Sequence, residues 1–317
     1  MVLYARIFFM IYSGERQGKK MFSDPAGNSV AIARQYMDSL LVESRIAGAV
    51  RPDTVFSFLG ETFRTPVMTA ALSHIDLAGM AEGARQAGAC VSIGMGGNEE
   101  FAGVLATGAK VIKIIKPYAD AEAIRSRIAF AEENGALAVG MDIEHAVNTD
   151  DAGDSVVVGL QMKQPTLEEL SAYIRSTRLP FLVKGVLSAH DAVICRDLGA
   201  AGAILSHHNG LLKYAVPPVM VLPEIRKAVG PDFLLIADGG IESGFDAFKA
   251  LARGADAVTM GKALMGPLKE KGAAGVCETL EKATAQLQAM MIRTGTPDLA
   301  HMDPSVIWEP VPYRHGC

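Results

Sequence analysis

An α/β fold, a (β/α)8 TIM barrel with an N-terminal helical and hairpin extension, is predicted by three features of the 317-residue sequence. Short apolar runs without polar alternation, FLVKG (181–185), AILSHHNG (203–210), LLIADGG (234–240) and AVTMGK (257–262), read as parallel strands buried on both faces. A Gly-Ala pair at 88, 108, 135, 199 and 254 joins the end of an amphipathic stretch to the next apolar run. There the glycine ends a helix in the left-handed conformation and the alanine allows a tight turn into the strand. Polar residues collect where the runs stop, which is where barrels of this kind carry their sites.

Taken in order, three regions are expected: an extension over 1–64, a barrel over 65–300 and a tail over 301–317. The opening MVLYARIFFMIY is apolar but is broken by Arg6 and followed by GERQGKK. It is shorter than the roughly 20 residues a membrane span needs and lacks a small-residue cleavage pattern, so a packed or disordered leader is expected. Residues from Asn28 to Ala47 have apolar positions at helical spacing, predicting an amphipathic helix. TVFSFLGETFRTPV predicts a hairpin about Gly60 that covers one end of the barrel. The intervals 135–199 and 199–254 each have room for two βα units. Eight strands are then expected near 66–71, 89–94, 110–115, 136–141, 180–184, 202–206, 233–238 and 256–260. After the fourth, the polar stretch 143–165 is long enough for a lid over the site, or for a plain surface loop. A capping box at Thr166 and Glu169 starts the next helix, and a last helix over about Ala273 to Arg293 closes the ring.

Composition narrows the function. Half the residues are hydrophobic, 21% are charged and the net charge is −5, which suits a large core and offers no basic field for nucleic acid. Cys90, Cys195, Cys277 and Cys317 show no CxxC spacing, arguing against zinc and for reduced thiols in a cytoplasmic protein. No membrane or nucleic-acid partner is expected, only a small-molecule substrate and no metal.

The strand ends carry the chemistry. In ADGGIESG (237–244), paired glycines leave backbone N–H groups open to an anion, and Gly261 before Lys262 offers a second such place. Lys184 ends an apolar run, where an ammonium needs an anionic neighbour. It either pairs with Asp142 or Asp238, or meets a ligand as a charge stabiliser or Schiff-base nucleophile. His207 and His208 are adjacent on a strand and so point to opposite sides. His208, beside Lys184 and Asp142, is the acid/base candidate, and Asp142 is placed to hold its tautomer.

The stretches VKGVLSAHDA (183–192), AGAILSHHNG (201–210) and DGGIESGFDAFKALARGADAVTMGKAL (238–264) together resemble the FMN-dependent α-hydroxy-acid oxidases and dehydrogenases, the glycolate and lactate oxidase group. The likeness covers about residues 40–300. A more distant similarity to type 2 isopentenyl-diphosphate isomerase is suggested by MTAA at 68–71. The main resemblance implies FMN as cofactor, with Ala71, Leu72, Ser73 and Ser92 lining it and Lys184 beside its N1 and O2. It implies Ser206 as a further flavin contact, His208 as the catalytic base and Asp142 as partner of the protonated histidine. Asp238, Gly239, Gly240, Gly261 and Lys262 match the phosphate and ribityl segments, and a homo-oligomer, commonly a tetramer, is implied.

The chain also departs from the pattern. Leu211 stands where the family has the arginine that clamps a substrate carboxylate, and Glu242 replaces a phosphate-binding arginine. Lys262 keeps only a point charge where a second arginine stands. The family's Gln-x-Tyr pattern on the third strand reads as Lys113, Ile114 and Ile115, with Lys113 kept among the cofactor-binding residues and Lys113 or Lys213 as a substitute cation. Hydride transfer between a hydroxyl or carbonyl substrate and the flavin N5, with His208 as acid/base, is the preferred function. The alternatives are an FMN-dependent non-redox isomerase, a Schiff-base lyase at Lys184, and a flavin- or phosphate-binding sensor without turnover.

Overall fold

Short parallel strands alternate with helices around a single barrel. The computed structural model describes residues 27–147 and 160–309. The eight barrel strands are β4 (Val67–Thr69), β5 (Val91–Ile93), β6 (Val111–Ile115), β7 (Ala138–Asp142), β8 (Phe181–Lys184), β9 (Gly202–Leu205), β10 (Leu234–Asp238) and β11 (Ala257–Met260). Each falls within, or one residue beyond, a predicted range. Hydrogen-bonded order runs β4-β11-β10-β9-β8-β7-β6-β5, with every neighbouring pair parallel. The seam between β4 and β5 is closed differently. Thr69 donates its amide to Cys90 O at 3.3 Å, its Oγ1 donates to Ser92 O at 3.1 Å, and the same oxygen accepts from Ser92 N at 2.9 Å.

Side chains alternate along each strand between two cores. Met68, Cys90, Ile112, Ile114, Ala138, Leu182, Ile204, Ile236 and Ala257 point into the barrel, while their sequence neighbours pack beneath the helices. The predicted hairpin is present as β2 (Phe56–Phe58) and β3 (Glu61–Phe63), and Phe56, Phe58 and Phe63 join the inner cluster to stop one end. All five Gly-Ala glycines have positive φ, as the turn out of a helix requires.

Several helices start where a capping side chain meets them, among them those after Asn28, Asp76, Asp120, Thr166, Ser188 and Ser243. After α1 (Ser29–Ser39) come α2 (Leu77–Ala87), α3 (Asn98–Leu105) and α4 (Ala121–Glu133), and then α5 (Leu167–Arg175), whose Thr166–Glu169 capping box is formed. They are followed by α6 (Ala189–Asp197), α7 (Pro218–Val229), α8 (Gly244–Ala252), α9 (Lys262–Lys271) and α10 (Ala273–Arg293), the last packed on α2, α8 and α9.

The extension and tail differ from expectation. The helix begun at Ser29 stops at Ser39 rather than reaching Ala47, and Leu40 is extended. β1 (Leu41–Val42) then pairs antiparallel with β12 (Ile307–Trp308), so the tail returns to the start of the fold. The leader before residue 27 and most of the expected lid, 148–159, lie outside the described residues.

Candidate active site at the carboxyl ends of the strands

A cavity of about 370 Å³ opens where β4, β8, β9, β10 and β11 end. Of the predicted residues, Ala71, Leu72, Lys184, Ser206, His208, Asp238, Gly239, Gly240, Gly261 and Lys262 line it. Asp142 sits buried directly behind His208. Three expected residues are not brought to this wall. Lys113 is at an odd position of β6 and so faces the helices, donating to Gly94 O at 2.6 Å with its ammonium 5.5 Å from the Phe101 ring centre. Burial lowers its pKa to about 8. Ser73 accepts from Met95 N, and Ser92 is locked into the seam with its own hydroxyl unpartnered among the described residues.

The floor is a charged cluster. His208 Nδ1 lies 2.8 Å from Asp142 Oδ2, a contact short enough to assign the proton to Nδ1 and leave the Nε2 lone pair free of it. The Lys184 ammonium lies 3.1 Å from Ser206 Oγ and 3.6 Å from both Asp142 and Asp238. Asp238 in turn accepts from Ser206 and Thr259 at 2.7 and 2.6 Å. Burial alone would lower the Lys184 pKa, but Asp142 and Asp238 outweigh it and hold it above the ordinary value. Burial would raise the Asp142 carboxyl, yet Lys184, His208 and Lys116 hold it well below the carboxylate range. His208 moves the other way: burial, then Lys184, lower it to about 4 against the pull of Asp142.

Sequence reading missed four side chains here. Lys116, almost fully buried, donates to Asp142 at 2.9 Å and lies 3.4 Å from His208 Nε2. It follows Ile112 and Ile114 at two-residue steps, so carrying the alternation one residue past the predicted strand end would have found it. His145 packs edge-on against His208 at 4.6 Å between ring centres. Glu144, packed on Gly185, has both carboxyl oxygens buried without a hydrogen-bond partner among the described residues, and burial pushes its pKa up to about 8. Arg34, from outside the barrel, lines the cavity and donates to Gly240 O at 3.1 Å and Asp246 at 2.8 Å.

The other end of the cavity suits an anion. Gly239 and Gly240 have φ of +115° and +78°, which expose their amides where a side chain would be strained. α9 starts after Gly261 with no side-chain cap, so its first turn has no side-chain acceptor where Gly261 and Lys262 line the cavity. An added β-carbon at Gly261 would come 3.2 Å from that of Ala70, crowding this wall.

Fold and site therefore define a barrel with glycine amides and a lysine at one side of its mouth and a buried lysine–histidine–aspartate cluster at the other. Residues 143–309 match the FMN-dependent dehydrogenase family model, more than half of the chain. The chain belongs to that family, whose cofactor is FMN. Among curated relatives, an L-lactate oxidase of Alicycliphilus denitrificans is 42% identical over 151 residues, 47% of this chain and 41% of the relative. Glycolate oxidase 3 of Arabidopsis thaliana is 36% identical over 162 residues, 50% and 44% of the two chains. The chain thus spans less than half the length of these relatives. A mandelate oxidase structure with (S)-2-phenylpropionate superimposes with a TM-score of 0.80 at 25% identity, over 90% of this chain and 91% of that one.

Proposed function

We propose that the chain is an FMN-dependent oxidoreductase acting on the CH–OH group of a small 2-hydroxy acid, or on the matching carbonyl in reverse. One observation carries the reading: Lys184, His208 and Asp142, far apart in sequence, meet on the mouth that also holds the Gly239–Gly240 and Gly261–Lys262 cradle. The residues fit FMN. Its phosphate would rest on the α9 N-terminus, Lys262 and the paired glycines. Its ribityl chain would lie along Ser206 and Asp238, and its ring against Ala71, Leu72 and Lys184. When bound, FMN supplies a two-electron acceptor that no side chain can replace.

The rest of the chemistry belongs to the protein. His208 takes the proton of the substrate hydroxyl at Nε2, and Asp142, kept ionised, receives the Nδ1–H bond and stabilises the imidazolium. Lys184 stays protonated, so it serves as a fixed positive charge beside developing negative charge. The same protonation speaks against the Schiff-base reading, which needs a free amine.

The test is a spectrum of the purified protein, then anaerobic addition of lactate, glycolate, mandelate and compounds without a carboxylate. A yellow protein bleached by one of them is expected. A colourless protein that takes up no FMN would overturn the proposal.

We further infer a cytoplasmic homo-oligomer, tetrameric as the resemblance implies. Leu41 and Trp308, exposed and paired across β1–β12, supply an apolar patch for such contacts. No helix of the described residues is long and apolar enough to cross a membrane. Light scattering of the native protein would show whether it is a monomer.

A further inference from the structure

Lys116 directly follows β6 on the inward face, and its ammonium lies between two groups of the proposed reaction. It is 2.9 Å from Asp142 Oδ2 and 3.4 Å from His208 Nε2, the nitrogen left to meet a substrate hydroxyl once Asp142 holds Nδ1. An oxygen that reaches Nε2 therefore arrives beside a buried cation. Leu211, by contrast, belongs to an apolar wall formed with Leu187, Leu212 and Val216. No charge clamp comes from that side chain.

We propose that Lys116 is the substrate's anion partner: it holds the carboxylate, or the reacting oxygen, of a 2-hydroxy or 2-oxo acid against His208. This rests on the oxidoreductase reading for its substrate class, but on Lys116, Asp142 and His208 alone for its geometry. Asp142 Oδ2 is shared by Lys116 at 2.9 Å and His208 Nδ1 at 2.8 Å, while Lys184 stands 3.6 Å from both Asp142 and Asp238, so Lys116 divides its carboxylate with other donors. A second anion placed by Lys116 meets attraction from the lysines, and low solvent exposure strengthens it. As His208 accepts the hydroxyl proton, the oxygen that lost it keeps the electron pair, and the ammonium faces that charge. No proton need leave Lys116.

Oxalate, an unreactive dianion, tests this, with neutral glycolamide as control. Binding is measured by calorimetry on the cofactor-free chain and by the flavin spectrum on the FMN-loaded chain. Lys116→Met should weaken oxalate roughly 10–100-fold, the range for loss of a charge-assisted contact, and leave glycolamide nearly unchanged. Lys116→Arg should retain most of the affinity. Oxalate binding by the Met variant within about threefold of the native chain would overturn the inference, as would equal losses in the Met and Arg variants. Should the Met variant not fold, the native chain still decides: no preference for oxalate over glycolamide rejects the role. Failure to take up FMN with Lys116-dependent oxalate binding intact would reject the cofactor reading and leave this one standing.

Discussion

His208 is held neutral by its surroundings, and this sets how activity should depend on pH. Burial and Lys184 bring its pKa from 6.5 to about 4, so the base is competent across the mildly acidic range. The acid limb of kcat/KM is expected well below pH 6.5, and a limb at or above that value would show that another group controls it. His208→Gln should lower kcat/KM by roughly 10²–10⁴ while FMN absorbance remains, as loss of a general base does. Glu144 makes the opposite prediction for stability. Its folded pKa of about 8 exceeds the ordinary 4.5, so the native state holds a proton that the unfolded chain has lost between those values. Stability therefore falls as pH rises from 4.5 to 8, by on the order of 5 kcal/mol at full ionisation. Glu144→Gln should flatten that decline, and melting curves at pH 5 and pH 8 measure it.

Among the elements, α8 and α10 approach closely at Gly244. A β-carbon at Gly244 would overlap the carbonyl oxygen of Ala283, and Gly244 N donates to Gln286 Oε1 at 2.9 Å. Gly244→Ala should thus force the helices apart and cost about 1–3 kcal/mol, read as a lower denaturant midpoint. The eight strands were legible because a parallel strand buried on both faces is an unbroken apolar run, with a glycine turn leading into many of them. The end of α1 was not. Leu40 to Val42 continue the apolar spacing, but the chain leaves the helix to pair with Ile307 and Trp308, a partner no local pattern reveals. Lys113 was misplaced by one step of alternation, which put Lys116 out of view. Arg34 and Glu144 enter through contacts across the fold, for which one sequence gives no signal.

At the scale of the molecule, the barrel joins seven neighbouring strand pairs by regular ladders and its first two strands by an irregular seam. In that seam the Thr69 hydroxyl makes two bonds and backbone contacts at Cys90 and Gly94 make the rest. Thr69→Val keeps the shape but removes both bonds of Oγ1, leaving Ser92 N and O poorly paired inside the core. The expected cost is about 1–3 kcal/mol, a melting temperature lower by roughly 2–4 °C for each kcal/mol. The site draws Ala71 and Leu72 from one side of this joint and Lys184, Ser206 and His208 from well beyond it. Deuterium should therefore enter the Ser92 amide of the variant soonest, and the cavity should widen along the same line. A ring with one irregular joint among regular ones has a preferred place to part, so heat and pressure should open it there first.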